Sequence, residues 1–362
     1  MKRLLFALTL TLTCLALSAA VKDPLKRTDK AFFSTQEASR IGEQVLLWQR
    51  NTGGWPKNVD MSKPLSEQDR EALLAAKSKS NDSTIDNDAT TTQMRFLANL
   101  YAATGKKAFR NGFRRGLDYL LAGQYENGGW PQFWPEPKSY RKHITFNDRA
   151  IENVMNLLLD ISREKGALGT RGLITGSQKK AAKKAFEKGL ECILNCQIVV
   201  DGKPTVWCQQ HDEITLEPAP ARSFELASFC SVESAGLVEF LMKLDNPSQR
   251  IKDAVNGAMA WFEAVKIPDT EVSREGGDVH LVHKPGSKPL WARFYDFEEC
   301  KPFVCGRDGV MKRDLSEIEF ERRNGYKWYT SEISKIYGKY RVWSLKYDQG
   351  KTAIPMAGDS NN

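Results

Sequence analysis

Histidine is scarce in this chain. There are four in 362 residues, and the central two, His143 and His211, have no partner at metal-ligand spacing, which argues against a zinc centre. No CxxC pair occurs, so neither zinc nor a thioredoxin-like redox site is indicated. Cys192 and Cys196 stand four apart on one predicted helix, a poor geometry for a mutual bridge, whereas Cys300 and Cys305 are spaced to pair across a loop. Long apolar runs are missing beyond residue 20, so no later stretch is read as a membrane span.

The first twenty residues are set apart from the rest. Lys2-Arg3 gives a positive start, Leu4 to Leu17 a short apolar run, and Ser18-Ala19-Ala20 small residues for cleavage. That order is a secretory signal cut near residue 20, and the run is short for a membrane anchor. Thr13 before Cys14 disfavours lipid attachment. Residues 21–362 are then expected to form a single domain, with a mobile polar tail after about residue 348. Losing Lys2 and Arg3 lowers the formal charge from +8 to +6. An exported basic protein suits a polyanionic partner, polysaccharide acid or nucleic acid, and equally suits simple solubility.

What the chain does contain is a repeat. Gly53-Gly54-Trp55-Pro56 returns as Gly128-Gly129-Trp130-Pro131, with the tryptophans 75 residues apart. Each copy follows an apolar segment ending in glutamine, Gln49 and Gln124. A third, degraded copy follows Gln197, with its tryptophan delayed to Trp207. A unit of helix, glutamine, tryptophan loop and helix points to a stacked or ring-like helical architecture.

Apolar periodicity predicts a leading helix carrying Ala38, Ile41, Val45 and Trp48, capped by Ser34. A shorter helix follows near Ser66–Lys77. Then come three antiparallel pairs: Ala89–Thr104 with Lys107–Gln124, Asp148–Lys165 with about Gln178–Gln197, and Ser231–Leu244 with Ser248–Lys266. Asn147 reads as the cap of the third of these helices. Asp201-Gly202 reads as the turn of a small hairpin, and the chain from Lys266 to Gly325 as loop. The expected fold is mainly α, an (α/α) toroid of about three helix pairs with its long loops at one mouth.

Charged residues recur at one place in the unit. Asp86 and Asp88 precede the helix after the first tryptophan loop, Asp148 opens the helix after the second, and Arg222 precedes the helix after the third. Alternating helices bring these positions to one mouth, as loops on a rigid scaffold do in many active sites. Taken singly, an Asp at a helix start is more often a cap or dipole partner, Arg222 a surface or ion-pair residue, and Trp55 and Trp130 packing residues. Two Asp carboxylates are hard oxygen donors, suited to calcium far better than zinc.

GGWPKN, STIDNDATTTQMRFLANLY, GGWPQFWP, HITFND, WCQQHD, PAPARSFELASFCSVES and WARFYDFEECKPFVCGRDG follow in that order. Together, from about Gly53 to Tyr329, they resemble the family 10 pectate lyases. The resemblance implies an (α/α) toroid that cleaves polygalacturonate by β-elimination with Ca2+. It implies Asp86 and Asp148 as metal residues, Arg222 as catalytic base, and Arg293 and Arg307 as arginines holding uronate carboxylates. It also implies a monomer acting on pectin, with neither nucleic acid nor membrane as partner. Two positions depart from the family: Arg149 stands where a second acid is frequent, and Ser223 where an aromatic is usual.

The implied chemistry suits these residue types. The C5 proton of a uronate is alpha to a carboxylate, and a cation bound there absorbs the charge that develops as the proton leaves. Arginine is an awkward base, because it stays protonated near neutral pH; an alkaline optimum is expected. Two other classes compete: a metal-free glycoside hydrolase using Asp148 and Asp86 as acid and base, and a non-catalytic pectin-binding protein. A terpenoid-cyclase-like toroid lacks its Asp-rich motif here.

Overall fold

Helices that end in glutamine set the pattern of the molecule. The computed structural model describes residues 23–349, and the described residues contain eleven α-helices. They are α1 (Lys30–Phe33), α2 (Gln36–Trp48), α3 (Glu67–Ala75), α4 (Thr91–Thr104), α5 (Lys107–Ala122), α6 (Ala150–Ser162), α7 (Gly176–Asn195), α8 (Ser231–Leu241), α9 (Gln249–Ala264), α10 (Phe320–Gly325) and α11 (Ser334–Tyr347). The predicted pairs are α4 with α5, α6 with α7 and α8 with α9.

The contacts sort the long helices into two layers. α4, α6, α8 and α11 touch in succession, and so do α2, α5, α7 and α9. The first set is the inner one. α6 buries nine of its thirteen residues, from Ala150 to Ile161, and α8 is apolar nearly all round, as a helix covered on several sides must be. Every outer helix ends, and every inner helix begins, at the mouth that carries the long loops. The structure is thus a mainly-α toroid.

The repeated residues are the fasteners. Gln49 Nε2 donates to Gly53 O at 2.8 Å and to Gly112 O, in α5, at 2.9 Å. Gln124 does the same to Gly128 O (3.0 Å) and Ala185 O in α7 (2.8 Å), and Gln197 to Thr205 O and Ala254 O in α9, both 2.9 Å. One carboxamide therefore ties each outer helix to its own loop and to the next outer helix. The tryptophan then turns back. Trp55 Nε1 donates to Val45 O (2.7 Å), Trp130 to Leu120 O (2.8 Å) and Trp207 to Ile193 O (2.7 Å). Glycine is required where the loop meets the neighbouring helix. A Cβ on Gly53 (φ +96°) would lie 2.2 Å from Arg115 O, and one on Gly128 (φ +95°) 2.0 Å from Lys188 O.

A fourth unit is present that the sequence reading did not find. Trp291 Nε1 donates to Phe262 O of α9 at 2.8 Å, and α11 takes the fourth inner place. This unit lacks the glutamine and the GGWP loop, so nothing short marks it. Its loop region, read as irregular, holds a four-stranded antiparallel sheet. In spatial order the strands are Met311–Lys312, Pro302–Cys305, Phe294–Tyr295 and Phe229–Cys230. It also holds a hairpin, Thr270–Ser273 against His280–His283.

Several local expectations change. The cap of α2 is Thr35, whose side chain accepts from Ala38 N, while Ser34 ends α1. α6 begins at Ala150, and Asn147 is not its cap. Cys300 and Cys305 are free thiols; Cys305 Sγ donates to Ser223 O at 3.8 Å. The hairpin turning at Asp201-Gly202 is as expected, pairing Val200 with Lys203. The signal segment and the polar tail from residue 350 lie outside the described residues.

Candidate active site

Two three-residue turns pack side by side at the mouth. Asp86-Asn87-Asp88 precedes α4, and Asn147-Asp148-Arg149 precedes α6. Their backbones match with Asn87 (φ 49°) in the place of Asp148 (φ 49°), and Asp88 (φ 62°) in that of Arg149 (φ 61°). Asp86 therefore corresponds to Asn147, one residue off the alignment that the acids alone suggest. Asn and Asp are the side chains that tolerate this left-handed backbone best.

Asp86 is buried behind the cleft. Its Oδ2 takes the Lys57 ammonium and Gln132 Nε2 at 2.8 Å, and its Oδ1 takes Asn87 N at 2.9 Å. Lys57 and Gln132 come from the two GGWP loops, so those loops meet on one carboxylate. Asp148 is solvent-exposed and lines a cleft of about 700 Å³, together with Asn87, Asp88, Arg149, Glu233 and Arg293. The cleft walls remove part of its water, and the carboxylates of Asp86, Glu233 and Glu225 face it. Its carboxyl is raised above the ordinary range, with Arg293 opposing. Asp148 Oδ2 accepts from Asn147 Nδ2 at 3.2 Å.

Arg293 and Arg222 share one aromatic ring. Arg293, buried, lies over Tyr326 at 4.7 Å and Arg222 near it at 5.8 Å. Arg293 Nη2 donates to Asn147 Oδ1 at 3.0 Å and to Glu233, whose other oxygen accepts the Cys230 thiol at 2.5 Å. Burial works against the Arg293 charge, but Glu233 and its other neighbours outweigh it and raise the pKa. Arg222 Nε donates to Glu225 Oε2 at 2.7 Å and its Nη2 to Oε1, while Tyr326 donates to the same Oε1 at 2.8 Å. The Glu225 hydrogen bond raises the Arg222 pKa, holding it as a cation. Burial works against the Glu225 charge, yet Arg222 and Tyr326 keep that carboxyl below the ordinary range.

Asp86, Asp148, Arg222 and Arg293 are thus assembled at one mouth, the last three joined through Asn147, Glu225, Glu233 and Tyr326 and Asp86 held behind them by Lys57 and Gln132. Arg307 stands apart. It is exposed on the turn after Pro302–Cys305 and pairs with Glu321 at 3.0 Å, although its turn abuts Ser223, with Gly309 on it. The sequence reading missed Lys57, Asn87, Glu225 and Tyr326. Asn87 was visible in the IDN/FND register, and Glu225 three residues after Arg222; nothing local marks Tyr326.

The two histidines differ in fate. His211 is fully buried, with Nδ1 bonded to Leu216 O (2.8 Å) and Nε2 accepting from Cys208 N (3.1 Å), which fixes a neutral ring. Burial lowers its pKa to about 4. His143, expected to be isolated, is brought beside Asp212 and Glu213, with ligand atoms within 4.8 Å of one another. Glu213 already takes Lys142 (2.7 Å) and His143 (3.0 Å), and Asp212 two backbone N–H groups, so the trio joins the second tryptophan loop to the third.

Known proteins resemble this chain in sequence and fold. The pectic acid lyase family matches residues 49–337. A family 10 polysaccharide lyase from Cellvibrio cellulosa is 31% identical, with a TM-score of 0.77, over 88% of this chain and 95% of that one. A point mutant of a family 10 polysaccharide lyase from the same organism, in complex with trigalacturonic acid, is 30% identical with a TM-score of 0.76 over the same shares. No curated protein matches significantly. Toroid, cleft and matches together define a polysaccharide lyase. More particularly, the chain belongs to family 10, the pectate lyases.

Proposed function

We propose that this chain is a calcium-dependent pectate lyase acting on de-esterified polygalacturonate, exported as one catalytic domain and working as a monomer. The observation that carries the reading is the cleft itself. Two guanidiniums meet at Tyr326, beside a carboxylate, Asp148, whose surroundings leave its charge poorly compensated. A polyanionic sugar meets such a cleft favourably only with a cation between the carboxylates.

The donors fit that cation. Asp148 and Asn87 present hard oxygens on one wall of the cleft, donors suited to calcium; Asp88 beside them already takes Lys26 and Asn153 Nδ2, and Asp86 lies directly behind. Calcium bound there would neutralise the substrate carboxylate and stabilise the enolate-like charge at C5. Arg293, fixed by Glu233 and Asn147, holds a uronate carboxylate, and Arg307 is assigned the same task at the rim. Once hydroxide from the alkaline solvent has removed a proton from Nη1, the nitrogen that Glu225 leaves without a partner among the described residues, the neutral Arg222 guanidine takes the C5 proton there and returns to the cation. The C5–H electrons form the C4–C5 double bond as the O4 glycosidic bond breaks, and water protonates the leaving oxygen. The product is a 4,5-unsaturated oligogalacturonide, as an anti elimination gives.

Glu225 opposes the basic role of Arg222, so activity should require alkaline pH. Ultraviolet absorbance of polygalacturonate, with calcium and then with excess chelator, tests the reading. A calcium-dependent rise lost in Arg222→Ala supports it. New reducing ends without absorbance would instead identify hydrolysis, and binding without either change a pectin-binding protein.

A further inference from the structure

The cleft at Asp148 and Arg293 does not end at its own wall. Lys327, Thr330 and Glu332 line it, and the same three residues line a second cavity of about 800 Å³. The far side of that cavity is the first strand of the hairpin, Thr270–Ser273, with Arg274, and the chain from Lys284 to Leu290 that follows the second strand. The charge there is one-sided once the ion pairs are taken out. Its two acids are both occupied: Glu271 by Lys284 at 2.7 Å and Glu332 by Lys335 at 3.2 Å. The side chains of Arg274, Lys288 and Lys327, all exposed, make no hydrogen bond or salt bridge among the described residues, and Lys327 only adds its field to that of Lys335 on Glu332. In the main cleft, by contrast, Lys26 pairs with Asp88, Lys339 with Glu239 and Arg149 with Glu152.

We propose that this second cavity is a distal subsite for the same polymer, in which Arg274 and Lys288 bind carboxylates of uronate units that extend past Lys327 from the main cleft. Three unpaired cations in a concave wall continuous with a uronate cleft select an extended polyanion, and the repeating carboxylate of polygalacturonate supplies it. The inference rests on the polygalacturonate reading. Exposed charge contacts of this kind are worth about 0.2–1 kcal/mol each, which is roughly 1.4- to 5-fold in affinity per cation. The subsite would therefore favour long chains over short ones without touching the chemistry.

The test is the double variant Arg274→Ala/Lys288→Ala against wild type, on polygalacturonate and on trigalacturonic acid. The expected result is a KM for the polymer raised about 2- to 25-fold, with kcat and the KM for the trimer holding. Polymer KM should also become less sensitive to salt. Equal shifts on both substrates, or no shift on either, would overturn the subsite. Retardation in a pectate-containing gel separates this from the lyase reading. If wild type is retarded but cleaves neither substrate, and the double variant runs free, the subsite stands and the lyase reading fails. If the double variant is retarded and cleaves like wild type, only the subsite fails.

Discussion

Replacing Gln49 with leucine should loosen the first fastener of the ring. The shape is nearly kept, but the Nε2 donations to Gly53 O and Gly112 O, both buried, disappear, and Arg115 Nη2 loses its acceptor, Oε1. Gly112 O still belongs to a helix, so its loss is partial; Gly53 O is left poorer. Unsatisfied buried acceptors cost about 1–3 kcal/mol each, so a loss of about 2–4 kcal/mol is expected. In a chain of this size that is roughly 3–6 °C in Tm, read by circular dichroism. Gln49→Glu sharpens the point. A carboxylate keeps the Arg115 contact but faces two carbonyl oxygens, so this variant should be the less stable of the two at pH 8. It should recover towards acid pH, where the introduced carboxyl group is protonated and can donate again. Both variants should also lower kcat/KM, because the loop held by Gln49 delivers Lys57 to Asp86. A Gln49→Leu protein melting within about 1 °C of wild type would refute the clamp.

Other outcomes follow from single contacts. Glu225→Gln removes the carboxylate that raises the Arg222 pKa, so the ascending limb of the pH–rate profile should move to lower pH; a uniform fall in rate with no shift would mean that Arg222 works as a cation. The neutral His211, with its pKa lowered from 6.5 to about 4 by burial, gives stability that is complete above about 6.5 and is lost as pH falls towards 4. The loss is on the order of 3 kcal/mol, measurable as urea midpoints across that window. Calcium should raise the Tm of wild type by mass action, and Asp148→Ala should abolish the rise. Trp130→Phe removes the Nε1 donation to Leu120 O and should cost about 1–3 kcal/mol in thermal or urea unfolding.

The helical ring was legible because its fasteners are written locally: a glutamine at a helix end, a glycine pair, a tryptophan. Helix pairs joined by two residues, such as Gly105-Lys106, show in periodicity alone. The fourth unit was not legible, because Trp291 bonds back to Phe262 across a long insertion and no glutamine announces it. Asp86, Asp148 and Arg222 came from their equivalent places in the repeat and Arg293 from motif resemblance, and the fold does bring them to one mouth. Their partners were harder. Tyr326 lies about a hundred residues from Glu225, and such a pairing is a property of the closed ring and of no local segment. Asn147 looked like a cap because that is the usual use of asparagine at a helix start; here Arg293 claims its oxygen instead.

The three glutamine clasps also decide where the molecule yields. Each joins two outer helices, so α2, α5, α7 and α9 form a chain with three links and two unlinked ends. α9 runs into Val265-Lys266 with no glutamine to pass the load onward. At that break α9 is held to the inner helix α11 by side chains, Tyr337 donating to Glu263 Oε2 at 3.1 Å and Tyr340 to Asn256 Oδ1 at 2.7 Å, and Lys335, Ile336 and Lys339 of α11 line the cleft. Amide exchange should be fastest there among the long helices, so that opening of the ring would begin beside its working surface.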